Sequence, residues 1–194
     1  MRQVTTLPAD ASAGRHGSLN RCQNKSTMNL FLLRHGLAVE PGTHHFAKDS
    51  DRPLTSEGER KLRKTGETME ALGLTFDLIL SSPYVRARQT AEIIAVALGA
   101  QKSLELSDTL APAGSVAELI ERLNEVDPAP ESVLLVGHEP YLSTLISLLL
   151  SGGTTLSVTM KKGGLCKLGS ESLRPGRCAT LEWLLTPKQL ARMA

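Results

Sequence analysis

Arg34-His35-Gly36 is the stretch of this chain whose residue types best suit chemistry on phosphate. A histidine ring attacks phosphorus through one nitrogen when a hydrogen bond on the other fixes its tautomer. Gly36 lets the backbone turn sharply and supply that bond. Arg34 adds a planar, permanently charged fork for non-bridging phosphate oxygens. The triplet alone carries little weight, because a second copy, Arg15-His16-Gly17, sits in a stretch without apolar periodicity. The copy at 34–36 directly follows the apolar run Asn29-Leu30-Phe31-Leu32-Leu33, so it stands at the end of a strand.

Two further positions complete such a site. Arg86 falls in the first turn of the helix expected after Ser81-Ser82-Pro83, where free N–H groups already favour an anion. Arg88 points elsewhere, whereas Gln89 shares the face of Arg86. His138, in Gly137-His138-Glu139-Pro140, precedes a helix opened by proline and is placed to polarise phosphoryl oxygens. Singly, a surface arginine or a strand-end histidine is most often structural. Together these residues occupy three strand-to-helix junctions, and in an open parallel sheet ligands bind outside the carboxyl ends of the strands. The pattern predicts one anion-binding crevice containing two arginines and two histidines.

The elements that must position these residues are legible from Met28 onward. Residues 30–33 read as a short buried strand. A polar loop runs through Pro41-Gly42 to Pro53. Ser56…Glu59 reads as a capping box for a helix with Leu62, Thr65, Met69 and Leu72 on one face, ending near Gly73. Residues 77–80 form the next strand. Ser82 as N-cap and Pro83 at the first helical position open a second helix, with Ile93, Ile94, Ala97 and Leu98 on its apolar face and Gly99 as its stop. Residues 104–106 are a weak strand. Ser115…Glu118 is a second capping box, for a helix burying Val116, Leu119, Ile120, Leu123 and Val126. A strand at 133–136 leads to a helix ending about Leu150. Residues 156–160, 164–168 and 178–185 read as strands, and a short helix begins at Pro187. This order predicts a three-layer α/β/α sandwich with a mostly parallel sheet and an antiparallel edge.

At 194 residues the chain suffices for one domain with a full core. No apolar run reaches the ~20 residues needed to cross a bilayer. Residues 1–27 hold Arg2, Arg15, Arg21 and Lys25 against Asp10, a net of +3, which leaves −1 for the remainder of a chain of net charge +2. The basic excess therefore lies in the tail and argues against a nucleic-acid surface. Cys22, Cys166 and Cys178 show no metal-ligand spacing, which fits a reducing, cytoplasmic setting. Residues 1–27 lack the apolar core of a secretory signal. They read as a disordered extension, or as a leader before a true start at Met28, so the domain is taken as 28–194.

The segments Leu32-Leu33-Arg34-His35-Gly36, Ser81-Ser82-Pro83-Tyr84-Val85-Arg86-Ala87-Arg88-Gln89-Thr90-Ala91 and Val136-Gly137-His138-Glu139-Pro140 resemble the histidine phosphatase superfamily, with its phosphoglycerate mutase-like fold. Within it, Asp51-Arg52-Pro53-Leu54-Thr55, Leu110-Ala111-Pro112-Ala113-Gly114 and the short, insert-free length are similar to the SixA-type phosphohistidine phosphatases. The resemblance implies a transiently phosphorylated His35, with Arg34, Arg86 and His138 binding the phosphoryl group. It also implies a substrate-binding role for Arg52, and Gly36 and Glu139 are expected to bind substrate beside the same group.

One departure separates the chain from many members of that superfamily. They place a Glu or Asp to protonate an ester oxygen, and here the region 104–114 offers only Glu105 and Asp108, neither in a convincing motif. A phosphohistidine P–N bond is weak, and its imidazole leaving group needs less help than an alkoxide. The expectation is thus a phosphatase acting on a phosphohistidine-containing protein. A small-molecule phosphomonoesterase and a non-catalytic phosphoprotein-binding module are the alternatives. His44 and His45, with Asp49 and Asp51 nearby, lack open-site metal spacing, so neither a metal nor another cofactor is expected, and no nucleic-acid or membrane partner.

Overall fold

The computed structural model describes residues 27–42 and 46–193. Arg15-His16-Gly17, Cys22, His44 and His45 lie outside the described residues. Among those described, six strands form one sheet: β1 (Met28–Arg34), β2 (Leu78–Ser81), β3 (Leu104–Leu106), β4 (Ser132–Gly137), β5 (Leu165–Ser170) and β6 (Thr180–Leu185). Their order is β3-β2-β4-β1-β5-β6. The pairs β1–β4, β2–β4 and β2–β3 are parallel, and β1–β5 and β5–β6 antiparallel. The helices are α1 (Ser56–Ala71), α2 (Val85–Ala97), α3 (Val116–Asn124), α4 (Tyr141–Ser151) and α5 (Pro187–Leu190).

Alternation along β1 explains the layers, because successive side chains leave a strand on opposite faces. Leu30 and Leu32 join Leu119 and Leu123 of α3 and Leu142, Leu145 and Leu149 of α4 in one apolar cluster. Phe31 and Leu33 join Met69 of α1, Ala91 and Ile94 of α2 and Leu190 of α5 in the other. Each of these leucine, isoleucine, methionine and phenylalanine side chains, fully buried, contributes roughly 1.5–3 kcal/mol. The fold is the α/β sandwich with an antiparallel edge that the element order predicted. Among the described residues no helix is long and apolar enough to cross a membrane.

Four local expectations need correction. The N-cap of α1 is Thr55, whose side chain accepts from Gly58 N–H, so the cap lies one residue before the proposed Ser56 and Gly58 at N3 has no side chain to complete a box. Leu72 is exposed, because α1 ends at Ala71 and Leu72 already serves as its cap. Helix α2 starts at Val85 with Tyr84 as N-cap, and the Ser82 hydroxyl lies 2.8 Å from His138 Nε2 while accepting the Tyr84 N–H, ahead of the helix, at 3.3 Å. Residues 156–160 form no strand: β5 takes the place beside β1, and Leu156 N–H turns to Ser147 Oγ at 3.0 Å.

Candidate active site

The parallel strands β1, β2 and β4 bring all three junctions to one edge of the sheet. His35 N–H donates to Gly137 O at 3.0 Å, tying the end of β1 to the end of β4. His35 Nδ1 lies 2.8 Å from Gly36 O. A carbonyl only accepts, so Nδ1 carries the proton and Nε2 keeps its lone pair. Gly36 N–H donates to Thr90 Oγ1 at 3.1 Å, and that hydroxyl donates to Arg86 O at 2.7 Å. A Cβ on Gly36 would stand 2.6 Å from Leu62 Cδ1, so glycine lets α1 press against the loop that follows His35.

The arginines are fixed from different directions. Arg34 Nη1 donates to Met160 O at 2.7 Å. Arg86 Nη1 donates to Asp49 O at 2.7 Å and Nη2 to Asp49 Oδ2 at 2.8 Å. Its guanidinium lies 5.1 Å from the Tyr84 ring centroid, a cation–π distance. Arg52 Nε donates to Asp49 Oδ1 at 2.7 Å, and its Nη1 donates to Val39 O. Partial burial would raise the Asp49 carboxyl, but hydrogen bonds from Arg52 and Arg86 outweigh it and hold the group below its usual range. Burial lowers the Arg86 guanidinium against the opposing pull of Asp49. Gln89 Oε1 accepts from Leu54 N–H at 2.8 Å, pinning the loop that carries Arg52 to α2.

The rings of His35 and His138 have centroids 5.1 Å apart. His138 Nε2 meets Ser82 Oγ at 2.8 Å. With the hydroxyl as donor, the His138 proton resides on Nδ1. Burial pushes His35 from 6.5 down to about 4, opposed by the Gly36 hydrogen bond and helped by the charges of Arg86, Arg34 and Lys162. Burial likewise pushes His138 to about 3, with His35, Arg86 and Arg34 adding to the fall and Asp49 resisting it. Both rings are therefore neutral at pH 7, and His35 Nε2 is a free base.

Arg34, His35, Arg52, Arg86, His138 and Glu139 all line one pocket of about 290 Å³. Among the described residues, the buried side-chain polar atoms without a hydrogen-bond partner are Arg34 Nε, Arg86 Nε, His138 Nδ1 and Glu139 Oε1. All four belong to residues lining that pocket. Such atoms cost about 1–3 kcal/mol each when left alone; the two guanidinium Nε–H groups, joined by His138 Nδ1–H when Ser82 donates to Nε2, are donors suited to an oxyanion. Glu139 is held by Ser143, whose hydroxyl donates to Oε2 at 2.5 Å.

The structure does not bring Glu105 or Asp108 to the pocket. Glu105 pairs with Arg122 at 2.7 Å, and Asp108 is exposed on a single 3-10 turn. Sequence reasoning missed Asp49, Tyr84 and Lys162 as pocket or clamp residues, and Thr90 as the brace. The Ser-Pro-Tyr-x-Arg-x-x-x-Thr order put Tyr84 and Thr90 within reach of Arg86, whereas nothing in the spacing marked Lys162. Among the described residues no group of three or more His, Cys, Asp or Glu is arranged to hold a metal ion.

Residues 30–112 match the model of the histidine phosphatase superfamily (branch 1). An uncharacterized protein of Picosynechococcus is 39% identical over 149 residues, covering 76% of this chain and 88% of its own length. The phosphohistidine phosphatase SixA of Escherichia coli is 29% identical over 164 residues, covering 84% of this chain and 96% of its own. A solved structure of the protein histidine phosphatase SixA complexed with tungstate superposes with a TM-score of 0.68 at 28% identity, over 84% of this chain and 99% of that one. With the fold and these relatives in agreement, the chain is a phosphatase and belongs to the histidine phosphatase superfamily.

Proposed function

We propose that this phosphatase removes the phosphoryl group from a phosphohistidine-containing protein. The observation that carries the reading is the set of unpartnered donors, Arg34 Nε, Arg86 Nε and His138 Nδ1, grouped around a neutral His35 whose tautomer is fixed by Gly36 O. His35 Nε2 attacks phosphorus in line, the substrate's P–N bond breaks, and the phosphoryl group passes to His35. Its three equatorial oxygens then meet the two guanidinium groups and the His138 N–H, where preorganised donors count most. A substrate phosphoimidazole protonated on its distal nitrogen departs as neutral imidazole, so no enzyme acid is required. Water then attacks the phosphorylated His35, releasing inorganic phosphate and restoring the ring.

Similarity to the phosphohistidine phosphatase of Escherichia coli supports this substrate class. The tungstate in the related solved structure is an oxyanion of the kind this donor set would hold. Trapping a labelled phosphoenzyme tests the mechanism: His35→Ala should abolish both the label and phosphoramidate hydrolysis. Unchanged turnover in that variant would sink it.

One feature favours a second reading. Glu139 lines the pocket with a buried, unpartnered Oε1, and a protonated carboxyl there would serve an ester oxygen as leaving group. A panel of phosphohistidine peptide, sugar phosphates and p-nitrophenyl phosphate decides. Activity confined to esters and lost in Glu139→Gln would assign a small-molecule phosphomonoesterase.

A further inference from the structure

We propose that a lysine-rimmed groove beside the catalytic pocket docks an acidic, amphipathic segment of the phosphorylated protein. The inference rests on the phosphohistidine-protein reading above and names what that protein must carry next to its histidine.

The groove encloses about 620 Å³, and its rim holds five lysines: Lys61 and Lys64 from α1, Lys161 and Lys162 from the turn before β5, and Lys188 from α5. No carboxylate is among the described residues that line it. The floor is apolar, built from Leu37, Pro187 and Ala191, with the methylene stems of the lysines available to extend it. Lys61 is partly neutralised by Glu57 at 2.6 Å and Lys162 by Glu40 at 3.5 Å. Among the described residues, the salt bridges include none to Lys64, Lys161 or Lys188. Residues 28–194 are close to neutral, so this concentration of like charge is local. Like charges gathered without partners repel one another, and an acidic ligand relieves that repulsion.

The groove is continuous with the chemistry. Lys162 lines both it and the catalytic pocket. Gly36 and Leu37 share a narrow cleft with Lys61, Lys162 and Pro187, so the floor begins one residue beyond the nucleophile's turn. The pocket itself has donors for a phosphoryl group, and phosphoryl contacts alone do not tell one phosphohistidine from another. Contacts outside the pocket must supply that discrimination. An apolar floor within a charged rim suits an amphipathic helix or extended segment bearing carboxylates on its edges. A nucleic-acid strand fits less well, because the described lining residues offer no aromatic ring for a base to stack on.

The test uses two synthetic phosphohistidine peptides differing only in flanking Glu or Gln, together with their unphosphorylated forms. Fluorescence anisotropy with the full chain should find the unphosphorylated Glu peptide bound more tightly than its Gln counterpart. That preference should shrink with added salt. Lys64→Glu/Lys161→Glu/Lys188→Glu should weaken Glu-peptide binding about tenfold, the scale of three exposed charge contacts, and Gln at the same positions should weaken it by less. The KM for the phosphorylated Glu peptide should rise in parallel, while turnover of phosphoramidate stays unchanged and reports an intact pocket. Equal binding of the two peptides, a preference that survives charge reversal, or tighter binding of a single-stranded DNA oligomer would each overturn the proposal. Binding is read without turnover, so a wild-type chain that hydrolyses neither phosphopeptide would defeat the phosphohistidine reading through a separate measurement.

Discussion

Asp49 occupies the guanidinium fork of Arg86, accepting Nη1 with its carbonyl oxygen and Nη2 with its carboxylate. The same carboxylate receives Arg52 at 2.6 Å. An oxyanion arriving at Arg86 therefore meets a negative charge already seated there. Asp49→Asn keeps an amide oxygen for Arg86 and removes that charge. Because the Asp49 side chain is 53% exposed, the effect is that of a solvent-screened pair, at most about 1 kcal/mol. Competitive inhibition by tungstate or inorganic phosphate should tighten up to about fivefold. A weaker inhibitor constant would mean that Asp49 serves chiefly to hold Arg86 in place.

Gly36→Ala should destabilise the protein by about 1–3 kcal/mol, the usual cost of overpacking a tight core. The added methyl collides with Leu62 Cδ1, so the cost should fall when measured in a Leu62→Ala background. Chemical denaturation of the four proteins of that cycle checks the coupling. Independent, additive effects would show that the contact with α1 is not what excludes a side chain at position 36.

Ser82→Ala removes the hydroxyl partner of His138 Nε2 and frees the ring to take the other tautomer. Turnover should drop about tenfold, part of the ~100-fold that one preorganised oxyanion donor provides. Imidazole nitrogen NMR shifts of His138 should change in the same variant. An unaltered spectrum beside lowered turnover would assign Ser82 a different role.

Stability should decline on acidification. His35 and His138 are held in the fold at about 4 and about 3, against about 6.5 in an unfolded chain. The unfolded state therefore takes up protons first. Their contribution is complete above pH 6.5 and drains away as pH falls toward 4 and then 3, at up to about 1.4 kcal/mol per pH unit for each ring. Thermal melts between pH 7.5 and 4 should show this slope, reduced in His138→Gln. Turnover limited by His35 as a neutral nucleophile should stay level down to about pH 5. A melting temperature flat across that range would contradict the burial of both rings.

The parts of the fold and site that the sequence displayed are those governed by local periodicity and strand ends. β1, β4 and α4 announce themselves through apolar runs, and Gly152 ends α4 in the left-handed conformation expected of its place. His35, Arg86 and His138 were visible because a parallel sheet forces its strand ends together. Long-range partnerships had no such periodic signature. Asp49 sits in a polar loop where any of several acids could have faced Arg86. Residues 156–160 have a strand-like composition, yet β5 holds the place beside β1; Met160 instead supplies a carbonyl to Arg34. Ser82 looked like a helix cap because serine hydroxyls commonly are one, and only the approach of β4 shows that its hydroxyl has another partner.

The hydroxyl of Thr90, which receives Gly36 and gives to Arg86, has a mechanical consequence. The turn after His35 and the helix bearing Arg86 share one fastener, so a drift of α2 carries both along and preserves the spacing between them. Error tolerance at this site thus comes from moving parts together instead of holding each one still. Substitutions scattered along α2 should shift the assembly as a unit, and loss of this one methyl-sized hydroxyl bearer should do more harm than many larger changes around it.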